Sequence, residues 1–356
     1  MKLKEISYSE AGVDRKERDK AKDFSLLHKI QPKNSIRTPF NTLFPLRGTD
    51  LYYTFCSDGI GTKVLLAQLA GRHDTIGIDG VAMVVNDVIR CGAKPESMVN
   101  VIDIKKSEPL LLQEIIKGIN AGALEAECPV IGGETADVPE LINGISEDPY
   151  HINFACIGIV EKEKIIYGNN LKKGDIIIGL ESNGVHSNGI SLARKVLFKE
   201  WNGCYEKEHY SEELKAKVLD EVLKPTTIYV KPVLKAMRKI EVKGAIHITG
   251  DAYLKFNKFF PFNHKIGFEF ELNELKPIFS FIQESAKKIG RKITAEEMLK
   301  TFNMGWGFAL ITGKENEGQL IKILESEKVK AKRIGSVTDE KGKILVHWKG
   351  KKIELK

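Results

Sequence analysis

LYYTFCSDGIGTKVLLAQLA, Leu51 to Ala70, decides how the chain is read. Its first six residues, Leu51 to Cys56, are apolar and include Tyr, Thr and Phe, which suits a strand; VLLAQLA, from Val64, suits a helix. Between them SDGIGTK, Ser57 to Lys63, places an Asp, two glycines, a Thr and a Lys where strand turns into helix. Backbone N–H groups point outward at such corners and glycine admits a ligand closely, so phosphates and metal ions bind there. The spacing is not G-x-x-x-x-G-K-[ST], and Val64 stands where G-x-G-x-x-G needs its third glycine. One such corner is equally an ordinary tight turn; the other motifs separate the two readings.

The 356 residues favour two domains, because single cores stop growing near ~250–300 residues. A hydrophobic content of 42% and a charged content of 29% are those of a globular protein. MKLKEISYSEAGVDRKERDK at the start is too charged for a secretory leader, and no apolar run nears the ~20 residues of a membrane span. A cytoplasmic protein without a membrane partner is therefore expected. The formal charge of +7 comes from scattered lysines, without the interleaved aromatics or helical period of a nucleic-acid reader, so no nucleic-acid partner is expected. A modest positive field favours small anions. Cysteines 56, 91, 128, 156 and 204 form no C-x-x-C pair, and neither HExxH nor GxSxG occurs. Zinc, disulfide and serine-hydrolase chemistries have no motif to rest on.

From 51 to 160 strand and helix patterns alternate: LYYTFC, a helix from Val64, TIGI, a helix from Val81, SMVNVIDI, a helix from Leu110 to Ala126, PVIGG and INFACIGIV. Such alternation predicts a mixed α/β (α+β) architecture. A charged stretch to Ile30 reads as helix, and EKEKIIYGNNLKKGD as a domain boundary, giving domains 1–168 and 169–356. The second opens with the strand DIIIGLES and a helix from Ile190 to Lys199.

Three further corners carry chemistry. In TIGIDGVAMVVNDVIRCGAKP, Thr75 to Pro95, the spacing of Val81, Val84, Val85 and Val88 predicts a buried helical stripe. Asp79 falls at the N-cap position, and Met83, Asn86, Asp87 and Arg90 fall on the exposed face. Asp87, a carboxylate on a Val-rich helix near a second acidic turn, suits magnesium. In PVIGGETADVP, Pro129 to Pro139, a strand ends at Gly132 and Gly133, followed by Glu134. In SNGVHSNGISLAR, Ser182 to Arg194, Ser187, Asn188, Gly189 and the helix N-terminus suit a phosphate, with Arg194 one turn on. Acidic corners beside Gly/Ser/Asn corners describe a site for magnesium and several phosphates: an ATP-dependent enzyme without a Walker loop.

These motifs, in this order, resemble the aminoimidazole ribonucleotide synthetase (PurM) family of cyclo-ligases. The resemblance runs from YSEAGVD at Tyr8 through SDGIGTK, RHDTIGIDGVAMVVNDVIRCGAKP, VIGGETADVPEL, GVHSNGISLARK, LKPTTIYVKPV, HITG and KTFNMGWGF to about Val337. It implies a two-domain PurM-like fold, the N-terminal strands of two subunits forming a barrel in a homodimer, with the active site in the cleft between the domains. It implies ATP-dependent closure of formylglycinamidine ribonucleotide to aminoimidazole ribonucleotide, with Mg2+, and K+ as a further candidate cation. By motif, Asp14, Asp58, Gly59, Gly61, Thr62, Lys63, Asp79, Asn86, Gly133 and Glu134 are implied at ATP. Asp58, Asp87 and Glu134 are implied as metal ligands, and Ser187, Asn188, Gly189 and Arg194 at the phosphoribosyl substrate. Lys63, His186 and His247 are the implied catalytic side chains. Two stretches depart from the family pattern: KNSIRTPFNTLFPLRG (33–48) has one glycine where relatives are glycine-rich, and HITGDAYLKF has Asp251 and Ala252 in place of glycines. The alternatives are another ATP-dependent member of the superfamily (selenophosphate synthetase or thiamine-monophosphate kinase), a hydrogenase-maturation scaffold, or a nucleotide-binding paralog without turnover. The first reactive-Cys candidate is only Cys56, GGET replaces Gly-Gly-Asp-Thr, and the chain ends IELK rather than in cysteine.

Overall fold

The computed structural model describes residues 3–14, 17, 34–273 and 276–356. The helix read before Ile30 lies outside the described residues. Two sheets organise the rest. The first strand, β1 (Lys4–Glu5), runs parallel to β13 (Arg291–Lys292), so the start of the chain lies against its second half. The first sheet has the order β2 (Ile36–Arg37), β3 (Thr42–Pro45), β4 (Leu51–Gly59), β7 (Tyr150–Glu161), β5 (Lys94–Ile104), β6 (Val130–Asp137). The second has the order β11 (Gly244–His247), β14 (Trp306–Thr312), β8 (Ile176–Glu181), β15 (Ala331–Thr338), β12 (Gly267–Glu271), β16 (Ile344–Trp348), β17 (Lys351–Leu355). A short hairpin, β9 (Tyr210–Ser211) with β10 (Ala216–Lys217), stands apart. Among the described residues no helix is long and apolar enough to cross a membrane.

Three helices follow the strands of the first sheet: α1 (Lys63–Ala70), α2 (Ile76–Ile89) and α3 (Pro109–Ala126). α1 stops where Gly71 adopts φ 61° and returns its N–H to the carbonyls of Ala67 and Gln68. α2 begins earlier than the sequence suggested. TIGI is its first turn rather than a strand, Thr75 is its N-cap residue, and Asp79 lies inside the helix. Glycine lowers helix propensity, but here it is needed for contact. A Cβ on Gly77 would stand 2.1 Å from the Ile119 nitrogen of α3.

β4 alternates cleanly: Tyr52 and Thr54 are buried beneath the helices, while Tyr53 and Phe55 face outward. The same alternation along β5 and β7 leaves Phe55, Val99 and Val101 on an open apolar face. β6 continues to Asp137, so Gly132, Gly133 and Glu134 lie within a strand and not at its end.

Candidate active site

α2 is buried all round: the four valines of its stripe are inaccessible, and so are Asp79 and Asn86. The face read as exposed is a seam. Asp79, Met83, Asn86, Asp87 and Arg90 recur at helical spacing; Asp79, Asn86 and Asp87 meet the second half of the chain, and Arg90 lies over Phe40. Buried polar groups need partners, and those partners build the site. One oxygen of Asp79, Oδ1, accepts from Lys63 Nζ at 2.8 Å, Thr226 N at 2.7 Å, Thr226 Oγ1 at 2.6 Å and Ser187 Oγ at 3.0 Å. Lys63 also donates to the Lys224 carbonyl at 2.7 Å. Burial pushes the Lys63 ammonium below its ordinary value, against the pull of Asp79. Seven residues on from Asp79, the Asn86 amide donates to the Thr227 carbonyl and accepts from the Tyr229 N–H, each at 2.9 Å.

Asp87 forms a second node. His247 Nδ1 donates to its Oδ1 at 2.8 Å, and Arg90 bridges its Oδ2 at 3.0 Å. Burial alone would raise the Asp87 carboxyl; Arg90, His247 and Lys255 together hold it below the usual carboxylate range. Asp58 reaches the same place from the end of β4 and accepts from the Gly59 N–H at 2.8 Å. Partial loss of water, and then the charge of Asp87, push its carboxyl up to about 6. His247 is buried and brought down to about 4, so near neutrality it is uncharged, with its proton on Nδ1. Lys255 completes the corner, its ammonium donating to the His247 carbonyl at 3.1 Å and to Thr249 Oγ1.

Opposite lies the turn before α4 (Ile190–Leu197). His186 sits at φ 59° and Gly189, the N-cap residue, at φ 76°. His186 is buried. Its Nε2 accepts from the Asn183 N–H at 3.2 Å, which leaves the proton on Nδ1. Asn188 Oδ1 lies against Gly250, where an added Cβ would be 3.4 Å away, so this turn abuts the HITGD turn. Four buried polar atoms along the seam, Asp79 Oδ2, His186 Nδ1, Asn188 Nδ2 and His247 Nε2, have no protein partner. Such atoms mark a place where a polar ligand completes the structure.

Known sequences fall on this frame. The AIR synthase related protein N-terminal domain matches residues 43–160, and the corresponding C-terminal domain matches 172–347. A phosphoribosylformylglycinamidine cyclo-ligase of Methanococcus vannielii is 38% identical over 364 residues, covering 98% of this chain and 99% of the relative. The cyclo-ligase of Pyrococcus horikoshii is 37% identical, covering 96% and 98%. The chain belongs to the AIR synthase family. Its fold is also that of two solved structures of much lower identity. AaThiL complexed with AMPPCP and TMP has a TM-score of 0.65 at 16% identity, covering 97% of both chains. The hydrogenase maturation protein HypE in complex with ATP has a TM-score of 0.59 at 17% identity, covering 96% and 95%.

Within the AIR synthase frame the expected residues separate into groups. Asp58, Asp87 and His247 are brought together, and Ser187, Asn188 and Gly189 stand across the seam with Asp79. Gly61 holds φ 65° in the turn before α1, and Thr62 Oγ1 meets Ser191 Oγ at 2.9 Å. Lys63 does not face an open phosphate site, because its ammonium is buried against Asp79. Glu134 does not join the carboxylate pair. In strand register Gly59, Asn153, Val101 and Glu134 form one row, and Asp58, Phe154, Asn100 and Gly133 the next. Adjacent rows face opposite sides, and Glu134 lies three strand spacings of about 4.8 Å from β4. Asp14 accepts locally from the Glu17 N–H at 3.1 Å. Arg194 lies over the Trp201 ring at 4.7 Å, and burial lowers its ordinary value. Sequence reading missed Arg90, Thr226 and Lys255. For Arg90 the signal was present in its i, i+3 spacing from Asp87.

Proposed function

We propose that this chain is an ATP-dependent cyclo-ligase closing formylglycinamidine ribonucleotide to aminoimidazole ribonucleotide, a step of purine biosynthesis. The observation that carries this reading is the likeness to curated cyclo-ligases over nearly the full length of both chains. The formyl oxygen forms a bond to the γ-phosphorus of ATP as the bond to the ADP oxygen breaks. The amidine nitrogen then bonds to the activated carbon, the carbon–oxygen bond breaks with loss of phosphate, and the nitrogen releases its proton. Both steps need alignment and charge neutralisation more than covalent help from the protein.

Magnesium fits the donor set of two carboxylates on separate elements. Among the described residues no three His, Cys, Asp or Glu side chains hold a metal unaided, and magnesium takes its remaining oxygens from phosphate and water. Asp58 and Asp87 would hold it, where it would neutralise charge on the transferring phosphoryl group. His247 fixes the Asp87 carboxylate, and Arg90 balances it. Ser187, Asn188 and Gly189 are proposed for the phosphoribosyl end, steadied by Asp79 and Thr226. Gly133 and Glu134 remain proposed nucleotide contacts. The open face of the first sheet, with Phe55, Val99 and Val101, is proposed to close a homodimer. Residues 1–168 are proposed as the ATP-binding and dimerisation domain and 169–356 as its partner domain, in a cytoplasmic enzyme.

The test is direct. Purified protein with ATP, magnesium and formylglycinamidine ribonucleotide should release ADP and the aminoimidazole product in equal amounts. ADP release that ignores the ribonucleotide, or unchanged turnover in Asp87→Ala, would overturn the proposal.

A further inference from the structure

The lysine that SDGIGTK offers for phosphate is unavailable. Lys63 is inaccessible, and its ammonium is committed to Asp79 and the Lys224 carbonyl. Arg90 is committed too: its Nε donates to the Asp87 carbonyl at 2.9 Å, its terminal nitrogen meets Asp87 Oδ2 at 3.0 Å, and its guanidinium lies over Phe40. A negatively charged triphosphate entering a corner already lined by Asp58 and Asp87 still needs a cation from the protein.

We infer that Lys255 is that cation and that it meets the phosphoryl group being transferred, an inference resting on the ATP-dependent reading above. Three observations support it. First, Lys255 and Asp87 hang on the same residue, the lysine on the His247 carbonyl and the carboxylate on the His247 ring. Second, the ammonium is placed by its own loop: the His247 carbonyl and Thr249 Oγ1 take two of its three N–H groups, leaving one to give. Among the described residues it forms no ion pair within 4.0 Å, unlike Lys63. Third, the Lys255 side chain is only half-buried, and the charges around it are those of Asp58, Asp87, Asp251 and Arg90. The backbone supports this delivery. Asp251 and Ala252 adopt φ 66° and 38°, and the turn they make leads into the 3-10 segment Ala252–Phe259 that carries the lysine. Non-glycine residues in this region are strained, and here the strain accompanies a lysine brought to the carboxylates.

The experiment is equilibrium binding by calorimetry, with magnesium, of ADP and of an ATP analogue whose β–γ bridge is methylene, alongside turnover. Lys255→Met should weaken the analogue about ten- to hundredfold, the range for a charge-assisted hydrogen bond, with ADP affinity within about twofold. Lys255→Arg should restore most of the analogue affinity, because charge and donors return. Thr249→Val, which leaves the charge but removes one anchor, should lose less than Lys255→Met and serves if the methionine variant does not fold. Equal weakening of ADP and analogue, or unchanged analogue affinity with unchanged kcat, would sink the role of Lys255. Failure of the wild-type protein to bind the analogue or to cyclise the ribonucleotide would instead sink the ATP-dependent reading.

Discussion

Asp79→Ala tests the seam most sharply. The substitution leaves the Lys63 ammonium fully buried with a single carbonyl, strands the Thr226 N–H, and leaves the Ser187 and Thr226 hydroxyls, which shared Oδ1, only each other at 3.0 Å. Removing one member of a buried ion pair costs about 3–5 kcal/mol, because the other charge stays behind in low dielectric. Lys63→Met should cost a similar amount by stranding the carboxylate. The double variant Lys63→Met/Asp79→Leu, which replaces both charges by groups of similar bulk, should cost less than either single change. Urea denaturation followed by circular dichroism measures the three losses. All three tryptophans, Trp201, Trp306 and Trp348, lie in the second half of the chain, so their fluorescence follows that half alone. In Asp79→Ala the two signals should separate, since the seam no longer couples the sheets. Single losses below about 1 kcal/mol that simply add, as for exposed pairs, would refute the reasoning.

Asp87→Asn should cost about 1.5–3 kcal/mol near neutral pH, the worth of hydrogen bonds to a charged group. The folded carboxyl titrates below its ordinary value of 3.8, so its contribution is present above that value and is lost as pH falls beneath it. Stability measured against pH should therefore converge for wild type and variant on the acid side; parallel curves would count against it. Phe55→Asp on the open face of the first sheet should convert the proposed dimer to monomer, read by light scattering during size exclusion, with the secondary structure unchanged. Asn86→Ala strands the Thr227 carbonyl and the Tyr229 N–H at the middle of the seam, and should raise the substrate KM while leaving ADP affinity nearly untouched. A change in ADP affinity alone would contradict the placement of Asn86.

Much of this was legible in the residues. The corners at Ser57 to Lys63 and Ser182 to Arg194 are visible as runs of Gly, Ser, Asn and Asp between apolar segments, and in the structure they lead from β4 into α1 and from β8 into α4. What misled was α2. Apolar stripe plus polar stripe is the pattern of a surface helix, and a helix whose polar stripe meets another part of the same chain has the same pattern. Nothing local marks Lys63 as the partner of Asp79, because the decisive carbonyl, that of Lys224, lies 161 residues further on. Lys255 was invisible for a related reason: lysines belong on surfaces by default, and only tertiary structure brings this one to two carboxylates. The third carboxylate failed through strand period. Glu134 looked like a neighbour of Asp58 because both follow apolar strands, but one residue of register sends a side chain to the opposite face.

The seam explains why a helix interior tolerates Asp79, Asn86 and Asp87. Eight residues at 1.5 Å each put about 12 Å between Asp79 and Asp87 along the axis. At one end of that interval Asp79 fixes Ser187 and Thr226; at the other Asp87 fixes His247, and through it the loop of Lys255. A substrate with a phosphate at one end and a group to be phosphorylated at the other needs those two corners at a constant separation. A loop could hold either corner, but its length fluctuates. A helix packed on every side does not stretch, because each residue is tied to its neighbours and the surrounding core is close-packed. The buried polar stripe is thus the cost of using one rigid element as the spacer between the two halves of the proposed reaction site.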